Sequence, residues 1–368
     1  MKSDIVVVGG GPAGSAAAIL LARAGRDVIL LERDAHAQHK VCGEFLSRET
    51  LRYLDFLGIH VREAGGLKIE SVRLASGAKV NQAVLPFEAM SLTRKTLDEL
   101  LLQRAADSGV KVLRGRKVEL IERSGAAWRA VVEGDAASAD AIFLATGKHD
   151  LRGRSRDRGS QSQMVAFKMY WQLSHMQAAA LEGHVELMLY AGGYAGLQPV
   201  EGGMANLCCL IERSELQRLG GRWEHLLGAM RAQCGLLRQR LEDADALLDK
   251  PLAITSIPYG YVRASSDGVW ALGDQAAVIP SFTGDGMAIA LHSGCLAASL
   301  YLDGASAEQF QERLHGDLSM QVSAATMISR GLVWAPSRGI LTQSVRVWPG
   351  LLNIIARQTR ISEGAVLV

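Results

Sequence analysis

Two kinds of apolar spacing alternate along the chain and divide it into segments. The unbroken apolar run Ile5–Val8 predicts a buried strand over residues 4–8. The small-residue stretch 12–24 predicts a helix, and 27–31 a second buried strand. Residues 67–85 alternate apolar and polar positions around a Ser76-Gly77 turn, the spacing of short strands. Helical spacing returns over 93–108 (Leu97, Leu100, Leu101, Ala105), with Thr93 placed as N-cap. Short strands are expected at 110–114, 118–123, 128–132 and 139–145. After a polar connection, 152–163, a β-rich stretch is expected with strands 165–173, 184–190, 194–199 and 204–211, a helical segment 223–241 and a strand 252–257. The chain then returns to a strand at 269–272, a small-residue helix over 284–300, and a mostly helical remainder interrupted at Pro336 and Pro349.

The turn after the first strand carries the chemistry. It reads Gly9-x-Gly11-x-x-Gly14 between strand and helix, and the second strand ends in the acidic Glu32. In that context the pattern predicts a βαβ dinucleotide site. Gly9 permits the tight turn, Gly11 lets backbone approach a pyrophosphate, and Gly14 lets helix and strand pack closely. Pro12 suits the first helical turn, and the helix N-terminus offers free N–H groups to phosphate. Glu32 is expected on ribose hydroxyls. A second motif, Gly273-Asp274, leaves an apolar strand ahead of Gly284, Gly286 and Met287. A carboxylate at such a strand end suits a polyol, and the helix behind it directs its positive end at a flat ring.

Composition narrows the setting. At 368 residues, with about 150 per domain as a prior, two domains are expected. A net charge of +2 gives no support to nucleic-acid binding. The five cysteines include no CxxC pair, so neither a zinc site nor a disulfide framework is expected. Three residues precede the first strand and no apolar run approaches the roughly 20 residues of a membrane span. A cytoplasmic location without a cleaved leader is the expectation.

With these motifs in place the chain resembles the FAD-dependent oxidoreductases of the p-hydroxybenzoate hydroxylase fold, and among them the geranylgeranyl reductase and flavin halogenase branch. Lys40-Val41-Cys42-Gly43-Glu44 resembles the branch's K-x-C-G loop beside the flavin. Arg94-Lys95-Thr96-Leu97-Asp98 resembles a helix start whose arginine lies against FAD. Phe143-Leu144-Ala145-Thr146-Gly147 resembles a strand end under the cofactor, and Gly273-Asp274 the ribityl-binding motif. The resemblance implies an α/β Rossmann-like, three-layer FAD-binding domain of glutathione-reductase type (1–75, 92–160, 259–302). It also implies a β-rich substrate domain (76–91, 161–258) and a helical C-terminal segment (303–368). The implied FAD contacts are Gly9, Gly11, Pro12, Ala13, Gly14, Glu32, Arg33, Lys40, Cys42, Gly43, Arg94, Val118, Gly147, Gly273, Asp274, Gly284, Gly286 and Met287. NADH or NADPH is the expected electron donor. Two positions depart from the branch: Gly196 stands where a G-Y-x-W-x-x-P motif has tryptophan, and Thr146-Gly147-Lys148 replaces an aromatic-hydroxylase D-G motif. The W-x-W-x-I-P signature of halogenases is absent.

The first expectation for the reaction is monooxygenation of an apolar or aromatic small molecule. The alternative is reduction of a C=C bond, with Cys42 as proton donor. Halogenation or a non-catalytic flavin-binding role stands behind both. Tyr170, Tyr194 and Phe282 are the candidate substrate contacts; alternation puts Tyr170 and Trp171 on opposite faces of their strand. His149 and His175 read as surface or structural residues, and Cys208-Cys209 as a buried dipeptide. The stretch 339–361 carries Leu341, Val345, Trp348, Leu351, Leu352 and Ile355 with Arg346, Arg357 and Arg360. Membrane contact is one reading of it, and a helix over the substrate cavity is the preferred one.

Overall fold

The computed structural model describes residues 1–334, 358–362 and 364–368. Its first sheet has seven strands, ordered Lys111–Arg114, Val28–Glu32, Lys2–Val8, Asp135–Leu144, Ala127–Val132 and Val118–Ser124, with Trp270–Ala271 also paired to Asp135–Leu144. Pairing is parallel from Lys111–Arg114 to Asp135–Leu144 and antiparallel in the meander that follows. Alternation along the first strand explains the layering. Ile5 and Val7 face helices Pro12–Arg23, Arg94–Asp107 and Gly286–Leu302, whereas Val6 and Val8 face the meander through Ile121, Trp128 and Val132. The result is the expected three-layer nucleotide-binding lobe.

The second sheet has nine strands. At its centre Met164–Gln172, Met204–Glu212, Gly193–Val200 and His184–Tyr190 pair antiparallel in sequence. One face (Phe167, Met169, Trp171, Leu197, Leu207) is covered by helices Trp223–Gln233 and Gly235–Arg240 through Leu226, Met230 and Leu237. Tyr170 stands on the opposite face from Trp171, as alternation requires.

Two boundaries are corrected. Strand Leu67–Ser76 pairs with Lys79–Ser91 and His184–Tyr190, so the β-rich lobe begins near residue 67 and not at 76. The helical stretch 223–241 is two helices broken at Cys234, whose backbone is extended. In the C-terminal segment a single helix, Ala307–Val333, is described, started by a Ser306/Gln309 capping box. Pro336, Pro349 and the amphipathic residues expected from Leu341 to Arg357 lie outside the described residues. No helix among the described residues is long and apolar enough to cross a membrane.

The last residues dock on the first lobe. Ile361 and Ala365 are buried in its core, and the Leu367 N–H donates to Tyr53 Oη, itself bonded to His292 Nδ1 at 2.8 Å. Arg360 Nη1 donates to Glu49 Oε2 at 2.8 Å and Asp285 Oδ1 at 2.9 Å. Asp285 is 1% exposed. Burial, with Glu49 nearby, raises its carboxyl to about 7, although Arg360, Ser47 and Gln321 favour the charged form.

A folded-state pKa above the unfolded value means the native protein binds the extra proton, so Asp285 costs stability as pH rises from about 4 to 7. We expect Asp285→Asn to gain stability relative to wild type at pH 8 compared with pH 5, read from urea midpoints. An equal difference at both pH values would contradict the assignment.

Candidate active site

The C-terminal ends of the parallel strands open onto one cleft, and the glycine turn forms its floor. Gly9 adopts φ +107°, and a side chain there would strike the Ala145 carbonyl at 2.3 Å. Gly14 is closer still, since a Cβ would lie 2.0 Å from Gly9 O. Gly11 differs: a Cβ would enter open space, with only Arg94 Nη2 near at 3.6 Å. An open cradle at a helix N-terminus, faced by a guanidinium, fits the pyrophosphate of FAD. Glu32 is buried and bonds the turn itself, accepting from Gly10 N–H at 2.7 Å and Asp34 N–H at 3.1 Å. Arg33 is exposed beside Asp34.

Arg94 opens helix Arg94–Asp107, where the helix dipole disfavours a cation. Asp98, one turn on, offsets this by accepting from Arg94 Nε and Nη2 at 2.8 and 2.9 Å, and from Lys40 Nζ at 2.9 Å. Burial opposes charge on both partners. Even so, Asp98 holds the Arg94 guanidinium well above the ordinary arginine range, and Arg94 with Lys40 holds the Asp98 carboxyl below its usual value. A buried carboxylate between two partly buried cations therefore stands beside the turn.

Above them runs the loop Lys40–Glu44. Lys148 Nζ donates to Val41 O at 2.6 Å, and Asn206 Nδ2 to the carbonyls of Cys42 and Gly43 at 3.1 and 2.9 Å. Glu44 adopts φ +63° and is fully buried. Its Oε1 accepts from Arg94 N–H and Tyr170 Oη, both at 2.7 Å, and lies 2.5 Å from Lys168 Nζ. Burial raises the Glu44 carboxyl while Lys168 pulls it down, and burial with Glu44 raises Tyr170. Cys42 is half-buried, whereas the other four free cysteines are buried.

Gly147 (φ +61°), Gly273 and Asp274 line the far side. The Gly147 carbonyl accepts from Gln275 Nε2, and Gly273 packs on Ala13. Gly284 and Gly286 frame the start of helix Gly286–Leu302, which Pro12–Arg23 packs against. Val118 and Met287 have side chains packed in the core, 5% exposed each, so any contact they make with a cofactor is through backbone.

Beside Gly43 and Gly284 lies a cavity of about 140 Å³, walled by Leu74, Leu187, Leu189, Phe282, Ile328 and Leu332. Tyr194 and Phe282 line it as expected, in edge-to-face contact. Tyr170 does not; it is 1% exposed, bonds Glu44 and packs against His39. A Cβ on Gly196 would meet only Leu187 Cδ2 and Cys208 O, near 4 Å, so the space of the missing tryptophan belongs to the cavity. Helix Ala307–Val333 covers it through Ile328 and Leu332, and Thr359 and Arg360 of the expected covering stretch line it as well. His149 and His175 are exposed.

Sequence reasoning passed over Lys168, Gln198, Asn206, Asp285 and a site role for Arg360. Lys168 alone left a signal, a cation inside the apolar strand Met164–Gln172.

Comparison with known proteins agrees with this geometry. The FAD binding domain family matches residues 2–145. A menaquinone reductase of Mycolicibacterium smegmatis is 28% identical over 328 residues, 82% of this chain and 77% of that protein. A tryptophan 2-halogenase of Chondromyces crocatus is 28% identical over 346 residues, 85% of this chain and 65% of that protein. Among solved structures, a flavin-dependent brominase superposes with a TM-score of 0.80 at 16% identity, over 98% of this chain and 93% of its own. The turn, the cation pair and these matches together make the chain an FAD-binding oxidoreductase of the p-hydroxybenzoate hydroxylase fold, homologous to menaquinone reductases and flavin-dependent halogenases.

Proposed function

We propose that the protein reduces a C=C bond of an apolar small molecule, with NADH or NADPH as electron donor. The observation that carries this reading is the position of Cys42. It is the half-buried thiol of a loop whose first residue, Lys40, joins the ion cluster beside the glycine turn, and its next residue, Gly43, lines the mostly apolar cavity. The menaquinone reductases among its relatives support reduction. Hydroxylation, the first expectation from the sequence, is supported by a fold neighbour, a probable FAD-dependent monooxygenase from Pseudomonas aeruginosa.

FAD, once reduced, supplies the hydride that one alkene carbon receives. The chain's residues do the rest. The glycine turn, Arg94 and Lys40 would hold the pyrophosphate, and Asn206 fixes the Cys42–Gly43 backbone. The apolar wall excludes water from the reacting carbons. Cys42 gives its S–H proton to the second carbon, so the double bond becomes single. The thiolate, within the field of Arg94, recovers a proton from solvent.

Gly11→Val is expected to abolish FAD retention, because a branched side chain would fill the cradle. A purified variant with wild-type flavin absorbance would refute the placement.

The reaction type is read by mass. Reduced holoenzyme given menaquinone or an apolar lipid extract under ¹⁸O₂ is expected to yield a product heavier by two hydrogens and free of ¹⁸O. Cys42→Ser should keep FAD and lose about 10²-fold or more in turnover, the scale of a missing general acid. One ¹⁸O in the product, with Cys42→Ser near wild-type rate, would establish hydroxylation instead.

A further inference from the structure

The flavin-facing side of the second sheet changes character along its length. Tyr194 and Leu210 pair at one end, Gly196 and Cys208 in the middle, and Gln198 and Asn206 at the end nearest the Cys42 loop. At that polar end the Asn206 amide nitrogen is engaged by the loop carbonyls. Gln198 is not engaged. It lines the cavity, is 2% exposed, and its amide Nε2 has no hydrogen-bond partner. A second buried donor of the lining, Arg360 Nε, is likewise without a partner, although Arg360 Nη1 is held by Glu49 and Asp285 and its guanidinium lies 3.7 Å from the Phe87 ring centre.

A buried amide without a partner costs about 1–3 kcal/mol, and an aliphatic side chain would wall the cavity without that cost, as Leu187 and Leu189 do nearby. An unmet buried donor on a mostly apolar wall is the mark of a ligand that brings its own acceptor.

We propose that Gln198 is a specificity residue, and that the substrate is an apolar molecule bearing a hydrogen-bond-accepting oxygen, of carbonyl type, which Gln198 holds at the loop end of the cavity. Arg360 supplies a second donor to the same ligand. The inference rests on the cavity being the substrate site of the proposed reduction, and it narrows the substrate class from hydrocarbon to oxygenated apolar compound. A cavity of this size accepts one small ring.

The test uses oxidised holoenzyme and two probes of one shape, acetophenone and α-methylstyrene, which differ in a carbonyl oxygen against a CH₂ group. Each is titrated while the flavin absorbance is followed, and the quantity read is the ratio of the two Kd values. Gln198→Met keeps the length of the side chain and removes the donor; Gln198→Leu removes it in a shorter aliphatic side chain. In both variants, with FAD retained, the preference for acetophenone is expected to fall about 5- to 100-fold relative to wild type. A ratio unchanged in both variants, or no perturbation by either probe, would overturn the proposal. Turnover plays no part in this measurement. An unchanged ratio therefore leaves the reductase reading standing, whereas ¹⁸O in the product would sink that reading and leave the ratio as it is.

Discussion

The site depends on one buried carboxylate. Asp98 is held between Arg94 and Lys40, and without it two cations would face each other under the flavin loop. Asp98 is buried while Lys40 is partly exposed, so loss of the carboxylate leaves chiefly Arg94 without its counter-charge. With Asp98 present, Arg94 is fixed one van der Waals contact from Gly11 and Lys40 pins the start of the Cys42 loop. The cluster carries one net positive charge, which matches a site whose ligand is a dianion at the end of a helix. The same helix gives its first N–H to Glu44. Cofactor side and loop are thus locked by one turn of helix.

Glu44 passes the constraint on to the second lobe. Its bonds to Lys168 and Tyr170 tie the loop to strand Met164–Gln172 of the β-rich sheet, and Glu201 returns the tie by accepting from Thr93 N–H and Oγ1 and from Thr96 Oγ1. The sheet needs both faces filled, one by its own helices and the other by the flavin loop and the cavity. This arrangement sets a mostly apolar wall beside Gly43, next to Cys42, while Arg94, Lys40 and Asp98 stay on the glycine-turn side of the loop.

Much of this was legible in the sequence for simple reasons. The turn Gly9 to Gly14, the strand ends at Glu32 and Gly147, and the Gly273-Asp274 motif are local: spacing within one strand–turn–helix unit decides them. The helix start at Thr93 was equally local, since a Thr cap and an i,i+4 pair are both visible in the chain. What escaped depends on pairing across long separations. Tyr170 was assigned to the right face of its strand, but its engagement with Glu44, 126 positions away, could not be read from alternation. The lobe boundary moved to residue 67 because Leu67–Ser76 pairs with a strand more than a hundred positions later. Gln198 and Arg360 carry no motif; their meaning comes only from what does not bond them.

The central claim is that the glycine turn, the Arg94–Asp98–Lys40 cluster and the Cys42 loop bind one FAD between them. A crystal structure of the purified holoprotein tests it most directly. The account predicts pyrophosphate density against Gly11 and Arg94, with the isoalloxazine between the Cys42–Gly43 loop and the start of helix Gly286–Leu302. A flavin ring bound away from that loop, or a pyrophosphate that Arg94 does not face, would contradict it.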